Sequence, residues 1–348
     1  MYEIKPSPGK GLGLFAARDI LRGEKIVSEK PLLSQTRSEE EAEGAWFVCL
    51  KKKFDQLSPE EQNQYLELSY STENIGEDIR HVMRDYLAIT QPSESEEGIR
   101  LQLEDWVKIS AIFYLNNAET RDSDQVGFGI FSTYTRINHS CIPNANWKYN
   151  SQTSEMEVYA ARDLARGEEI SISYIDIRGP VRLRRQMYQP YGFDCTCAAC
   201  AGPDLAEHER RRSRIFYINA ALEDYKDDNT DDNEDGDPEN HEDGDTDDYE
   251  DGDADDYENG ETDDYDDDMD DYEDDYAESW QSLPVDDEAL KLAYEYVSLL
   301  QEEGLVGGEL SWGRCARFHE KLGESQKAAE MKEKSEENDL ACTGTING

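Results

Sequence analysis

One stretch of this sequence has too little apolar surface to join a folded core. Residues 223–278 contain 33 of the chain's 81 acidic residues, and Lys226 is their only Lys or Arg, so the tract carries a net charge of −32. Three octads within it end in Asp-Asp-Tyr, at 242–249, 250–257 and 258–265. Such charge density with few aliphatic side chains cannot offset the loss of chain entropy. We therefore predict a disordered acidic tract at 223–280.

This acidic tract is either a solvated loop or a binding site for calcium or for a basic protein such as a histone. Its Asp-Gly-Asp units lack the twelve-residue spacing of an EF-hand loop. The remaining residues have 48 acids against 34 bases, which is acidic but ordinary, so no direct nucleic-acid binding is expected. Four arginines, Arg210, Arg211, Arg212 and Arg214, lie on a predicted helix, and we interpret them as a solvated helix face.

The N-terminal segment, residues 1–6, has no apolar region of the kind that signal peptides carry, and no apolar run of 18 residues occurs. We expect a soluble, intracellular, monomeric protein without membrane association. Its expected location is the nucleus, the cytoplasm or both.

Local patterns predict a β-rich domain that a helical block interrupts. Strands are expected at 25–28, 126–131, 155–161 and 169–175. Ser58-Pro59-Glu60-Glu61 is a capping box that opens one helix, and a second amphipathic helix follows it. The helical block at 39–118 is therefore predicted to be an insertion. The segment 161–170 repeats the pattern of 17–26, which predicts paired turns of one small β domain.

Two cysteine-containing segments carry candidate chemistry. The loop at 136–143, Arg-Ile-Asn-His-Ser-Cys-Ile-Pro, holds an amide, an imidazole and a thiol within four residues, and its proline argues against a helix or a central strand. Downstream lie Cys195, Cys197 and Cys200. Because the chain has an odd total of seven cysteines and these three are so close, metal ligation is favoured over disulfides. Three thiolates leave a tetrahedral zinc ion one ligand short.

Four motifs occur in a fixed order along the chain. They are Gly-Lys-Gly-Leu-Gly-Leu-Phe at 9–15, Asn-His-Ser-Cys-Ile-Pro-Asn at 138–144, Gly-Glu-Glu-Ile at 167–170 leading to Tyr174, and Phe-Asp-Cys-Thr-Cys-Ala-Ala-Cys at 193–200. Together they closely resemble the SET-domain protein-lysine methyltransferases that carry a post-SET zinc cluster. The helical insertion and C-terminus are most similar to the SET-and-MYND subgroup.

The resemblance implies an α+β fold, with small sheets around a pseudoknot-like core, a helical insertion and a C-terminal α-helical module. We predict a SET domain at 1–178 with its insertion at about 39–118, and a post-SET zinc cluster at 179–202. A helix at 203–222, the acidic tract and a helical module at 281–348 complete the predicted organisation.

The resemblance also implies two bound groups. Structural zinc would take Cys141 as its fourth ligand beside the downstream trio; the alternative is four free core thiols. The second group is S-adenosylmethionine, near Lys10, Gly11, Leu12 and Gly13 at its methionine carboxylate. Asn138 and His139 would bind its adenine and amino-acid ends, and Phe193 would stack on the adenine. The alternative for His139 is a satisfied core histidine.

Two tyrosines are the candidate catalytic residues. Tyr174, at a predicted strand end beside the cofactor, would orient the substrate amine through its hydroxyl, and Tyr191 would line the lysine channel. A lysine ammonium with a pKa near 10.4 is neutral only about once in 2,500 at pH 7. A nearby sulfonium and a dry aromatic channel both lower that pKa. The alternative for Tyr174 is an ordinary strand tyrosine.

The sequence departs from the SET-and-MYND pattern in two places. A MYND zinc finger needs a cluster of cysteines and histidines, but Cys49 is the only cysteine and His81 the only histidine between residues 30 and 100. The chain therefore resembles a fungal-type relative that lacks this finger. The family often has a cofactor-binding asparagine in the last helix of the insertion. Ser110 and Ala111 stand near that place here, with Asn116 and Asn117 as loose substitutes.

We therefore expect an S-adenosylmethionine-dependent protein-lysine N-methyltransferase that modifies a histone or a non-histone protein. One rival hypothesis is a non-catalytic SET-fold scaffold that recruits basic partners through the acidic tract. The other is a zinc-stabilised binding domain without a cofactor pocket. The glycine-rich turn at 10–13 argues against the second rival, because such a domain has no use for it.

Overall fold

The structure is a computed structural model, and it describes residues 1–43, 45–122, 125–223, 285–305 and 312–343. Residues 224–280 of the predicted acidic tract lie outside these ranges, so the disorder of that tract stays a prediction. No helix within the described ranges is both long and apolar enough to cross a membrane.

Short strands in the described ranges form three small sheets. Their bounds are β1 Tyr2–Ser7, β2 Gly11–Ala16, β3 Lys25–Glu29, β4 Leu33–Thr36, β5 Ala118–Asp122, β6 Gln125–Ile130, β7 Asn138–His139, β8 Ala145–Asn150, β9 Glu155–Ala160 and β10 Glu169–Ile172. The sheets have the orders β1-β2-β10-β7, β3-β9-β8 and β4-β6-β5. Successive side chains of a strand point to opposite faces of its sheet, so one face can be buried. In β10, Ile170 and Ile172 are fully buried while Ser171 between them is not.

The pairing of β10 with β7 is parallel, and it positions the candidate site. Ser171 lies opposite Asn138 and Ile172 opposite His139. The chain therefore brings the segment that precedes Tyr174 alongside the Asn-His loop. Beneath this sheet lies a continuous core that includes Leu14, Ile20, Phe131, Ile137, Val158, Ile170 and Ile172.

The repeated turn pattern has the predicted structural meaning. The two turns exchange hydrogen bonds, because Asp163 accepts from the backbone N–H of Arg22 and Asp19 accepts from that of Arg166, both at 2.8 Å. A short carboxylate thus caps each turn from the other. The prediction of paired turns is confirmed.

Helices fill the interval between β4 and β5, as predicted. Their bounds are α1 Arg37–Glu43, α2 Trp46–Asp55, α3 Pro59–Leu66, α4 Glu77–Thr90 and α5 Glu96–Asn116. The Ser58 hydroxyl accepts from the backbone N–H of Glu61, and the Glu61 carboxylate accepts from that of Ser58, so the capping box is confirmed. Tyr65, Leu50 and Ile112 pack this block against β6. The mixture of small sheets and helices confirms the predicted α+β class.

The remaining helices follow the last strand. Their bounds are α6 Val181–Tyr188, α7 Ala198–Ala201, α8 Leu205–Glu223, α9 Asp287–Glu302, α10 Trp312–Lys321 and α11 Ser325–Thr343. Helix α11 packs against β8 and β9. The C-terminal helices therefore support the face of a sheet.

The prediction of a solvated arginine face on α8 holds for Arg210, whose side chain is 63% exposed, but is wrong for the arginines that follow it. Arg212 is fully buried and pairs with the buried Glu303, which also accepts a hydrogen bond from Arg211. Arg214 makes a two-pronged pair with Glu295 at 2.7 and 2.8 Å. These arginines bind carboxylates that come more than 80 residues later in the chain, which no helical pattern shows.

Candidate active site

Four thiols from separate parts of the chain meet at one end of the core. The sulfurs of Cys141, Cys195, Cys197 and Cys200 all lie within 4.8 Å of one another. The Cys141 sulfur is 3.5 Å from that of Cys200 and 3.9 Å from that of Cys195. A tetrahedral zinc ion with bonds of about 2.3 Å separates its sulfurs by about 3.8 Å. The cluster therefore fits the predicted zinc ion and is too open for disulfides.

A buried cation supports thiolate character in this cluster. Arg184 is fully buried, and its Nη2 lies 3.5 Å from the Cys200 sulfur and donates to the carbonyl oxygen of Ala199. Hydrogen bonds with Cys141 and Cys195 lower the pKa of Cys200, and Arg184 acts in the same direction. Because the thiolate is the form that ligates zinc, this environment suits a metal site.

His139 connects the thiol cluster to Tyr174. Its Nδ1 lies 3.1 Å from the backbone nitrogen of Tyr174 and its Nε2 lies 3.3 Å from the Cys141 sulfur. Since the backbone N–H can only donate, Nδ1 accepts and Nε2 carries the proton. Burial lowers the pKa of His139 to about 4, so the ring is neutral. The imidazole thus fixes the position of Tyr174 against the thiol cluster.

A cavity of about 660 Å³ lies beside this cluster, within the size range of small-ligand sites. Seven of the residues predicted to contact the cofactor or the substrate line it, namely Lys10, Leu12, Asn138, His139, Tyr174, Tyr191 and Phe193, and so do two predicted metal ligands, Cys195 and Cys197. Gly11 and Gly13 are predicted site residues that do not line it. The roles of all these residues as ligands stay predictions.

Backbone conformation and close packing explain why glycine occupies positions 11 and 13. Gly11 has a φ of +79°, a conformation that favours glycine. A Cβ on Gly13 would lie 2.7 Å from Oε1 of Glu169 and 2.9 Å from Nδ2 of Asn138. Gly13 therefore makes room for a carboxylate and an amide at the edge of the cavity.

Aromatic rings form one wall of the cavity. The Tyr174 and Tyr191 rings have centroids 5.2 Å apart, and Phe193 stacks on Tyr188 at 5.3 Å and 15°. Tyr188 covers one face of the Phe193 ring, while Phe193 itself lines the cavity. These contacts give the cavity a rigid apolar surface of the kind that stacks on planar ligands.

Two further aromatic residues, Tyr134 and Trp147, complete this wall, and the sequence analysis missed both. They line the cavity and pack edge to face with centroids 5.5 Å apart. Tyr134 lies four residues before Asn138, and this closeness to the Asn-His motif could have indicated it. Trp147 comes from β8 and had none.

The Tyr174 hydroxyl is already committed as a donor. It donates to the carbonyl oxygen of Ile137 at 2.5 Å. Burial is the main cause that raises the pKa of Tyr174, so the phenol stays protonated. Its hydroxyl oxygen can therefore accept a hydrogen bond from an incoming N–H group through a lone pair.

The end of helix α5 corrects one expectation. Ser110 and Ala111 are buried inside the insertion and do not line the cavity. Asn116 and Asn117 do line it, where α5 ends. Asn116 donates to the carbonyl oxygen of Ser69 at 2.7 Å, so its amide is fixed at the cavity wall. The loose substitutes are thus the asparagines that stand at the site.

Glu169 is a polar residue beside the cavity that the sequence did not single out. Its Oε1 accepts from the Ser7 hydroxyl at 2.8 Å and from Nδ2 of Asn138 at 2.7 Å. Its Oε2 lies 3.5 Å from Nζ of Lys10. The signal was present, because Glu169 belongs to the Gly-Glu-Glu-Ile motif at 167–170.

Known proteins match this chain over the same region. Residues 11–175 match the family model described as SET domain. A protein named histone-lysine N-methyltransferase set5, from Schizosaccharomyces pombe, is 28% identical over 226 residues, which are 64% of this chain and 58% of that protein. Human histone-lysine N-methyltransferase SMYD3 is 33% identical over 93 residues, which are 26% of this chain and 21% of that protein.

Among solved structures, the SET domain of LSMT bound to lysine and AdoHcy covers 55% of this chain and 52% of its own. Its identity is 16% and its TM-score is 0.30, and a superposition that loose adds nothing to the sequence match. The matches to curated relatives also span less than two thirds of those proteins: 58% of the S. pombe protein and 21% of the human one.

Proposed function

We propose, from the match of residues 11–175 to the SET-domain family model, that the protein is an S-adenosylmethionine-dependent protein-lysine N-methyltransferase. The observation that carries the proposal is the cavity of about 660 Å³. Both polar groups, from Lys10 and Asn138, and the aromatic rings of Tyr134, Tyr174 and Tyr191 line it. Such a cavity can hold a polar cofactor and a lysine side chain together.

The residues present fit the proposed cofactor, which would supply an electrophilic methyl group on a sulfonium. The Lys10 ammonium would attract a carboxylate. Asn138 and His139 would contribute amide and main-chain groups, and the exposed face of Phe193 would stack on a purine. Asn116 and Asn117 add amides to the same cavity.

The aromatic wall favours the neutral form of the substrate amine. Transfer requires a neutral amine with a free lone pair, whereas a lysine in water is almost entirely protonated at pH 7. Rings of Tyr134, Trp147 and Tyr191 displace water from that part of the cavity, and burial of an ammonium lowers its pKa. The proton would leave to solvent before the amine takes up its reactive position.

Tyr174 would orient the neutral amine. Its hydroxyl hydrogen is engaged by the Ile137 carbonyl, so its oxygen can accept one amine N–H and direct the nitrogen lone pair towards the methyl group. The ring contact with Tyr191 and the His139 bond to the Tyr174 backbone both restrain it. Positioning of this kind can supply a large share of the rate enhancement.

The thiol cluster would act structurally. A zinc ion bound by its four sulfurs would tie the segment after Cys195 to the loop at Cys141. Tyr191 and Phe193 precede that segment directly, so the ion would hold both rings over the cavity. No electrophilic role for this metal follows, because all four positions of a tetrahedral zinc would be filled by thiolates.

The partner is proposed to be a histone or a non-histone protein with a target lysine. Three further proposals rest on the sequence alone: a basic partner bound by the acidic tract, a monomeric state, and a location in the nucleus, the cytoplasm or both. The scaffold hypothesis differs from the enzyme hypothesis in one measurable respect. A scaffold binds no cofactor, so titration with S-adenosylhomocysteine separates the two.

The decisive experiment incubates purified protein with methyl-labelled cofactor and a cell extract, and identifies the modified residues. We expect labelled lysine with the parent and a loss of at least about 100-fold in Tyr174→Phe, since that variant lacks only the orienting oxygen. Tyr217→Phe is the matched control, because Tyr217 is 63% exposed on α8 and is not among the residues that line the cavity. Equal labelling by Tyr174→Phe and the parent would overturn the catalytic assignment.

A further inference from the structure

Four strands of one sheet contribute to a polar cluster around Glu169. Strand β1 supplies the Ser7 hydroxyl, β2 supplies Gly13, β10 supplies the carboxylate and β7 supplies the Asn138 amide. Ser7 is 4% exposed, so the cluster is buried on that side. On the other side Asn138 lines the cavity.

The contacts determine which way the Asn138 amide points. Its Nδ2 lies 2.7 Å from Oε1 of Glu169 and 3.1 Å from the carbonyl oxygen of Leu12. An ionised carboxylate and a carbonyl can only accept, so the nitrogen and not the oxygen must face them. Both amide hydrogens are then used, and Oδ1 points away from the cluster. Within the described residues, no hydrogen bond reaches this Oδ1.

We propose that Glu169 is a positioning residue for cofactor binding, which acts by fixing the Asn138 amide with its carbonyl oxygen towards the cavity. Oδ1 of Asn138 can then only accept a hydrogen bond from a bound ligand. It therefore selects a ligand that presents an N–H donor, such as an ammonium or an exocyclic amine. This inference rests on the proposed function, since it assigns a role toward the same cofactor.

A carboxylate suits this position better than other side chains. It offers two acceptor oxygens and no donor, so it cannot stabilise the flipped amide, in which Oδ1 would face it. Its room to move is small, because the Gly13 backbone closes the space around Oε1. Oε2 also holds the Lys10 ammonium at 3.5 Å, at the edge of the cavity. Glutamine would fit the space but could present its own N–H₂ group to the flipped amide.

A role through Asn138 differs measurably from a role through charge alone. S-adenosylmethionine carries one more positive charge than S-adenosylhomocysteine. If Glu169 acted only by its negative charge, Glu169→Gln would weaken the binding of S-adenosylmethionine more than that of S-adenosylhomocysteine. If it acts by orienting Asn138, the variant weakens both by the same factor, because both carry the same donors.

The test is calorimetric titration of both ligands into the full chain expressed with zinc. We expect Glu169→Gln to weaken each by about tenfold, the effect of one lost hydrogen bond in a desolvated site. In an Asn138→Ala background the same substitution should change Kd by less than about twofold, because the residue through which it acts is gone. Glu168→Gln is the matched control: Glu168 precedes Glu169 on the chain but contacts Arg162, Asn144 and the Ala165 backbone instead.

The possible failures are distinguishable. A parent chain that binds neither ligand overturns the proposed function and this inference together. A parent that binds both, with Glu169→Gln binding equally well or with a loss confined to S-adenosylmethionine, overturns this inference alone. Thermal unfolding shows whether the variant folds. If it does not, Ser7→Ala, which removes one donor to Glu169, should weaken both ligands by about threefold, and no weakening there also overturns the inference.

Discussion

Arg212 and Glu303 form an ion pair that is buried on both sides, with Nε of the arginine 2.7 Å from Oε2 of the glutamate. The other guanidinium nitrogens of Arg212 donate to the carbonyl oxygens of Ile177 and Cys141. Through one side chain, helix α8 is therefore joined to the turn after α9 and to the loop that carries Cys141 of the thiol cluster. Losing one charge of such a pair leaves the other unpaired in the interior.

Glu303→Gln is expected to lower the free energy of unfolding by about 3 kcal/mol, because it leaves Arg212 buried without a counter-charge. Denaturant titration followed by circular dichroism measures this. The control is Glu207→Gln on α8. This carboxylate is half-exposed and pairs with Arg210 and Arg211, so the variant should change stability by less than about 1 kcal/mol. Equal stability of Glu303→Gln and the parent would show that the pair does not hold the helices together.

The same carboxylate gives a pH dependence. Burial acts to raise the pKa of Glu303, but hydrogen bonds from Arg212, His208 and Arg211 outweigh it and lower that pKa below its ordinary value. A lowered folded-state pKa gives stability that is present above the unfolded-state pKa of about 4.3 and is lost as pH falls through the folded-state value.

The difference in unfolding free energy between the parent and Glu303→Gln should therefore be constant from pH 8 to about 5 and shrink below about 4.3. Unfolding titrations of both proteins at each pH measure it, and the effects of acid on the thiol cluster cancel in the difference. A difference that grows as the pH falls would contradict the assignment.

Gly13→Ala is expected to reduce cofactor binding by at least about tenfold, because a Cβ at this position displaces Glu169 and Asn138. Gly167→Ala is the control. Gly167 has a φ of +86° with open space around it, so alanine there should cost about 1 kcal/mol of stability without affecting the cavity. Titration with S-adenosylhomocysteine and thermal unfolding separate the two effects, and normal binding by Gly13→Ala would contradict the expected crowding.

The thiol cluster should bind one zinc ion per chain, measured by atomic spectroscopy after dialysis. Cys197→Ser should lose the metal and, with it, most of the S-adenosylhomocysteine binding, because Tyr191 and Phe193 then lose their anchor. Cys315→Ser removes a buried thiol outside the cluster and should retain both. A metal-free Cys197→Ser protein that binds the ligand normally would separate the metal from the cavity.

Features that depend on neighbours in the chain were predictable. The capping box at Ser58 and the close spacing of Cys195, Cys197 and Cys200 express rules that hold over three to six residues. The repeated turn was visible because each copy contains its own signal. The order of the four motifs predicted the match of residues 11–175 to the SET-domain family model.

Features that depend on pairs of distant residues were not predictable from one chain. Ser7 and Glu169 are 162 residues apart, and Arg212 and Glu303 are 91 apart, so no local pattern links them. The order of the strands in one sheet brings the first pair together, and packing of α8 against the turn after α9 buries the second. The chain specifies which groups it contains and how they are spaced, whereas their partners, charges and burial follow from which surfaces meet when the core excludes water.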